Sequence, residues 1–219
     1  MNGAPIVACL GAWLALAGSS NAGQPPPRPA TVMVLDMQGD GIRLTSSGSG
    51  VRFDIERVGK AASVGWTSLG SDDSFLALDL NGNGTIDDSG ELVGTRLRFE
   101  DGTQPTSGAD ALLTPLQGLR RGPDGRLPDP LPEGAGVIDS ADGVFARLLV
   151  WCDKNHDGAS QRTELMSLPA AGITSIRNGY QRTSVVDEGG NKSRFRGSFT
   201  LRVRGVEFQR QIIETELAR

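Results

Sequence analysis

Apolar positions fall in short runs separated by glycine- and aspartate-rich turns, and the longest run comes first. Ile6 to Ala17 is apolar throughout but too short to span a bilayer as a helix, which takes about 20 residues. Gly18 to Ala22 follows, with Ser20 and Ala22 as the small residues a signal peptidase reads, so residues 1–22 are predicted to be a signal peptide. The stretch before it, Met1 to Pro5, carries no Lys or Arg, and a buried N-terminal helix is the alternative. Residues 23–30 form a Pro-rich linker, and 31–219 form one domain with an insertion at about 118–135. Within the domain, Val32–Leu35 and Phe75–Leu78 are strand-like. Val144, Phe145, Leu148, Leu149 and Trp151 have helical spacing, with Asp139 or Ser140 as a cap and Asp142 as a charge at the helix start. Glu164–Leu168 predicts a second short helix ended by Pro169 and Gly172. Beyond Gly172, Ile173–Ile176 is strand-like, and Phe195 to Val203 alternates as a half-buried strand. Val206, Phe208 and Ile212 continue on a further strand after Gly205. The expected fold class is α+β: short antiparallel strands and hairpins, with helices flanking one loop.

Composition narrows the chemistry. Glycine occupies 30 of 219 positions, while aromatics are 5% and the apolar set 37%, so loops are plentiful and the core is modest. Lys+Arg of 22 against Asp+Glu of 26 gives a net charge of −4, which argues against a general nucleic-acid binder. A single histidine makes a Ser-His-Asp or Cys-His machine improbable, and with two cysteines it cannot build an all-Cys/His zinc site. Cleavage after Ala22 removes Cys9 and leaves Cys152 without an intramolecular partner. No later segment is apolar enough to span a membrane.

The polar positions concentrate in three acidic loops. Asp153-Lys-Asn155-His-Asp157-Gly158-Ala159-Ser-Gln161-Arg-Thr-Glu164 fits D-x-[DN]-x-[DN]-G-x5-E at each specified position, the calcium loop of an EF-hand. Calcium takes six to eight oxygens at roughly 2.3–2.6 Å, and this spacing converges them on one point. Asp153, Asn155 and Asp157 supply side chains, Ala159 a carbonyl, Gln161 a side chain or water contact, and Glu164 two closing oxygens. Lys154 and His156 are expected to face solvent. A second, EF-like loop offers Asp79, Asn81, Asn83, Thr85, Asp87 and Glu91, its glutamate arriving one residue late. A metal-free turn of Asn-Gly units is the alternative there. The third stretch offers Asp36, Gln38 and Asp40 before Gly41, with no closing acid, and a plain β-turn serves equally well.

Taken in order, these pieces resemble the calcium-binding modules of bacterial RTX (repeat-in-toxin) proteins, including the self-processing module. The resemblance rests on Leu35-Asp36, Gly39-Asp40-Gly41-Ile42, Phe53-Asp54, Gly65-Trp66 and Asp72-Asp73. It continues through Leu78-Asp79 to Glu91-Leu92 and Gly94, Val150-Trp151, Asp153 to Leu165, and Gly172-Ile173. It implies calcium binding from Thr31 onward. The self-processing relatives cut an Asp-Pro bond just before the opening strand; here Arg28 precedes Pro29, and Asp129-Pro130 lies in the insertion. The glycine-rich nonapeptide array of RTX toxins is absent.

The resulting expectation is an exported protein, periplasmic or secreted, that binds Ca2+ ions as structural clamps and is not an enzyme. A calcium-dependent self-cleaving module and a dockerin-like binding module are the rivals. Lys192, Arg194, Arg196, Arg202, Arg204 and Arg210 make the C-terminal strands basic, either as a docking face for a protein or anionic partner or as a solvated strand face.

Overall fold

Val32-Met33-Val34-Leu35 is apolar at every position, which a strand needs only when both of its faces are covered. The computed structural model, which describes residues 28–99, 102–113 and 136–219, shows both faces covered. Strand β1 (Val32–Leu35) lies between β10 (Val206–Glu216) and β4 (Ser74–Ala77), antiparallel to each. Met33 and Leu35 enter one apolar cluster with Leu76, Val150, Phe199 and Ile212. Val32 and Val34 enter another with Phe75, Trp66, Trp151 and Ile213. Alternate residues of the central strands thus feed two cores on opposite faces of one sheet.

That sheet has eight antiparallel strands and curls into a half-barrel. The remaining members are β5 (Val137–Asp139), β6 (Leu149–Trp151), β7 (Leu165–Ser167), β8 (Ile173–Arg182) and β9 (Lys192–Val203). Across the sheet the order is β5-β8-β9-β10-β1-β4-β6-β7. A separate hairpin pairs β2 (Val51–Phe53) with β3 (Ala62–Val64), laying Val51, Phe53 and Val64 on the second core. Helix α1 (Gly108–Leu113) is short, and it is the one α-helix among the described residues.

The expected α+β class and its EF-hand helix–loop–helix are therefore overturned. Asp142 to Arg147 makes a run of turns, with a single four-residue backbone bond from Leu148 N to Val144 O. The chain then becomes β6, which pairs Phe75 with Trp151 and Ala77 with Leu149. The predicted helix after Glu164 is β7, paired with β6 through Trp151 and Leu165. Helical spacing in an apolar run this short also fits a buried strand, and pairing with β4 decides between them. The segments read as a signal peptide, most of the linker and the insertion with Asp129-Pro130 lie outside the described residues.

Among the described residues, one carboxyl is buried within a strand of the sheet. Glu214 on β10 is 1% exposed and accepts a hydrogen bond from Thr31 Oγ1 at 2.6 Å. Burial pushes its pKa up from 4.5, opposed by Thr31 and by the first amides of α1, Gly108 and Ala109. The folded state thus favours the protonated acid, so stability present at low pH is lost as pH rises from the unfolded value toward the folded one. Thermal melts of wild type and Glu214→Gln at pH 4 and pH 8 should show the variant gaining on wild type as pH rises. An unchanged difference would mean that the carboxyl is not desolvated.

Candidate functional site: acidic hairpin loops

Two of the predicted loops close β-hairpins. Asp79–Glu91 follows β4 and ends where Ala77 bridges to Leu92; Asp153–Glu164 joins β6 to β7, with Cys152 N bonded to Glu164 O at 3.0 Å. Despite different lengths and flanks, the first aspartate and the closing glutamate of each make the same backbone bonds at three points. The first aspartate accepts from the glycine five residues on: Gly84 N to Asp79 Oδ2 and Gly158 N to Asp153 Oδ2, both 2.8 Å. The closing glutamate reaches back to the residue after that aspartate, Leu80 N to Glu91 Oε1 at 3.0 Å and Lys154 N to Glu164 Oε1 at 2.9 Å. Its other oxygen takes the ninth-position amide, Asp87 N at 2.9 Å and Gln161 N at 3.4 Å. The extra residue before Glu91 is absorbed in the turn at Ser89-Gly90, so the late glutamate occupies the same place.

The remaining predicted ligands gather inside each loop. Asn81 and Asn83 each turn an amide nitrogen to Asp87 Oδ2, at 2.9 and 2.7 Å, and Thr85 Oγ1 donates to Asp87 Oδ1 at 3.0 Å. The two amides, Asn81 first, hold Asp87 below its ordinary pKa. In the other loop, Asn155 and Gln161 turn amide nitrogens to Asp157 Oδ2 at 2.8 and 2.9 Å. Asp157 is also low, chiefly through the Ala159 N–H, which donates to its Oδ1 at 2.8 Å. The asparagine amide oxygens accept from the backbone, Asn83 N to Asn81 Oδ1 at 2.9 Å, Thr85 N to Asn83 Oδ1 at 2.8 Å and Asp157 N to Asn155 Oδ1 at 3.2 Å. Each loop thus gathers carboxylate and amide side chains, whose oxygens are the donor type of a hard cation such as calcium. Glu91 is 5% exposed, and burial raises its pKa, a cost that a neighbouring cation offsets.

Gly158 fits its loop closely. Its φ is +72°, and a Cβ there would lie 2.8 Å from Val51 Cγ2, so the Asp153 loop rests directly on β2. His156 is half-buried instead of solvent-facing; its ring nitrogens lie 2.9 Å from Thr67 O and 3.0 Å from Ser49 O. Those contacts tie the loop to the β2–β3 side of the molecule.

The structure adds residues that spacing did not reveal. Trp66 Nε1 donates to Asp153 Oδ2 at 2.8 Å across 87 positions of sequence, both groups being buried. Its indole packs on Phe75 at 4.4 Å and on Phe53 at 5.0 Å, centroid to centroid, so a close aromatic cluster aims the N–H at the Asp153 carboxylate. At the third loop, Asp36 accepts from Gly39 N at 2.5 Å and Gly41 N at 3.0 Å. The carboxylates of Asp36 and Asp40 meet that of Asp72, with ligand oxygens all within 4.8 Å of one another. Gln38 turns its backbone here, its N–H donating to Asp72 Oδ2 at 2.6 Å. The next residue, Asp73, holds Arg43 N at 2.9 Å, while its other oxygen is buried without a hydrogen-bond partner. Burial above all, with Asp72 and Asp36 adding repulsion, pushes Asp73 up to about 6. Asp72-Asp73 is legible as an acidic pair in the sequence, but only the β1–β4 pairing brings it to the third loop.

Fold and loops together define an antiparallel β protein carrying oxygen-rich acidic hairpin loops. The chain belongs to the SPM domain family, whose model matches residues 33–116 and 130–207. It is also 35% identical over 170 residues to the iron-regulated protein FrpA of Neisseria meningitidis serogroup C. That alignment takes in 77% of this chain and 14% of FrpA, so the chain corresponds to a small part of that relative. Among the described residues, no helix is long and apolar enough to cross a membrane.

Proposed function

We propose that this chain is an exported calcium-binding module, with ions in the Asp79 and Asp153 loops clamping hairpins of the sheet and a further ion at Asp36, Asp40 and Asp72. The observation that carries this reading is the matched bonding of the two loops. Two sequences of different length set the first aspartate and the closing glutamate on the same backbone amides, which a pair of ordinary hairpin turns has no reason to do. The resemblance to RTX calcium modules and the apolar segment ahead of Ala22 supply the calcium and export parts. Calorimetry or native mass spectrometry of the mature chain should count two to three calcium ions at millimolar concentration. Zinc and magnesium should compete poorly for so large and flexible an oxygen cage. Absence of bound calcium at that concentration overturns the proposal.

We read the chain as a binding module and not as a self-cleaving enzyme. The Arg28–Pro29 junction is anchored to the domain, with Arg28 O accepting from Arg96 at 2.9 Å and Pro29 O from Thr95 Oγ1 at 2.8 Å. Arginine at residue 28 offers no carboxyl to attack its own carbonyl. Intact mass after incubation with calcium should therefore be unchanged, and fragments ending at Asp129 would establish self-cleavage instead.

A further inference from the structure

We infer that the Asp79 and Asp153 loops bind their ions cooperatively, through a contact at the eighth position of each. This rests on the calcium reading above. Counting from the first aspartate, those positions are Ile86 and Ser160. Ile86 N donates to Ser160 Oγ at 2.6 Å across 74 positions of sequence. Both residues are buried, Ile86 at 3% and Ser160 at 8% exposure. Solvent therefore does not compete for the bond, and breaking it leaves a buried N–H without a partner.

What the bond joins gives it its consequence. Ile86 lies between the predicted ligands Thr85 and Asp87, and Ser160 lies between Ala159 and Gln161. The contact is thus made by the two ligand-bearing segments themselves. A second contact runs beside it: the Arg162 guanidinium reaches over Gly84, whose Cβ would lie 3.7 Å from it. An ion that orders residues 159–161 also fixes Ser160 Oγ, and so fixes the backbone of residues 85–87. The second ion then meets a loop whose ordering cost has already been met in part, which is positive coupling by conformational entropy. Repulsion between two dications opposes this but is screened over a Debye length of about 8 Å at physiological salt. By reciprocity, each loop must sense the other equally.

The test is calcium titration of the full chain by calorimetry, on wild type, Ser160→Ala, Asp153→Asn and Asp79→Asn. Wild type should give a Hill coefficient above 1 for these two sites. Asp153→Asn should weaken the Asp79 site fivefold or more, and Asp79→Asn should weaken the Asp153 site by a similar factor. Ser160→Ala should keep two ions while its Hill coefficient falls to 1. Asparagine preserves the shape of each first position, so the paired Asn variants decide the matter even if Ser160→Ala misfolds. Two ions that bind independently in wild type, with each Asn variant leaving the other site unchanged, overturn the inference while leaving the calcium proposal intact. No ions at all overturn the calcium proposal itself.

Discussion

Chelating calcium from the mature chain is expected to lower its melting temperature by roughly 10–20 °C. A ligand bound only to the folded state stabilises it by RT ln(1 + [L]/Kd), about 2.7 kcal/mol per site at a hundredfold excess. Two occupied sites contribute about 5 kcal/mol, and each kcal/mol moves the midpoint of a domain this size by about 2–4 °C. On the calcium proposal, local charge is what the ions offset. Asp153, Asp157 and Glu164 share one loop and Asp79, Asp87 and Glu91 the other, where Asp87 repels Glu91. Protease sensitivity should rise over Trp151 to Leu168 at the same time, because β7 is an edge strand paired on one side only. Asp153→Ala should reproduce much of the effect. A melting curve that does not respond to chelation would reduce the loops to vestigial turns.

The second large effect is expected at Trp66, which has no ligand atom of its own. Trp66→Ala removes the side chain at the centre of the second core and should cost about 3–5 kcal/mol from cavity formation. Trp66→Phe separates two roles. It keeps an aromatic ring against Phe53 and Phe75 but removes the N–H held by Asp153 Oδ2. Loss of a hydrogen bond to a buried charge costs about 1.5–3 kcal/mol. Calorimetry on Trp66→Phe should show weaker calcium binding in the Asp153 loop. Unchanged affinity there would mean that Gly158 N and the rest of the loop orient Asp153 without the indole.

The local chemistry of the two hairpin loops was legible in the sequence, because it is written in residues a few positions apart. An aspartate, a glycine five residues later and a glutamate closing the loop suffice to specify hydrogen bonds that the chain makes with itself. The late Glu91 still reaches the amides of Leu80 and Asp87, because the turn at Ser89-Gly90 absorbs the extra residue. The long C-terminal hairpin was legible for a similar reason: alternation from Phe195 to Val203 and the reset at Gly205 are properties of one strand and its turn.

What surrounds the loops was decided only by tertiary contacts. The run from Val144 to Trp151 carries apolar residues at helical spacing, yet β4 offers open backbone groups and an aromatic face. Pairing Phe75 with Trp151 there buries more than a lone surface helix could. Pairing of β1 with β4 brings Asp72 and Asp73 beside Asp36, and further tertiary contacts bring Trp66 onto Asp153 and Ile86 onto Ser160. None of these contacts joins residues close in sequence, so no spacing rule encodes them. Sequence alone determined which oxygen-bearing side chains share each hairpin loop, because a loop's geometry is local. The sheet decided what those loops pack against and what links them, because burial on both faces is a property of the assembled strands.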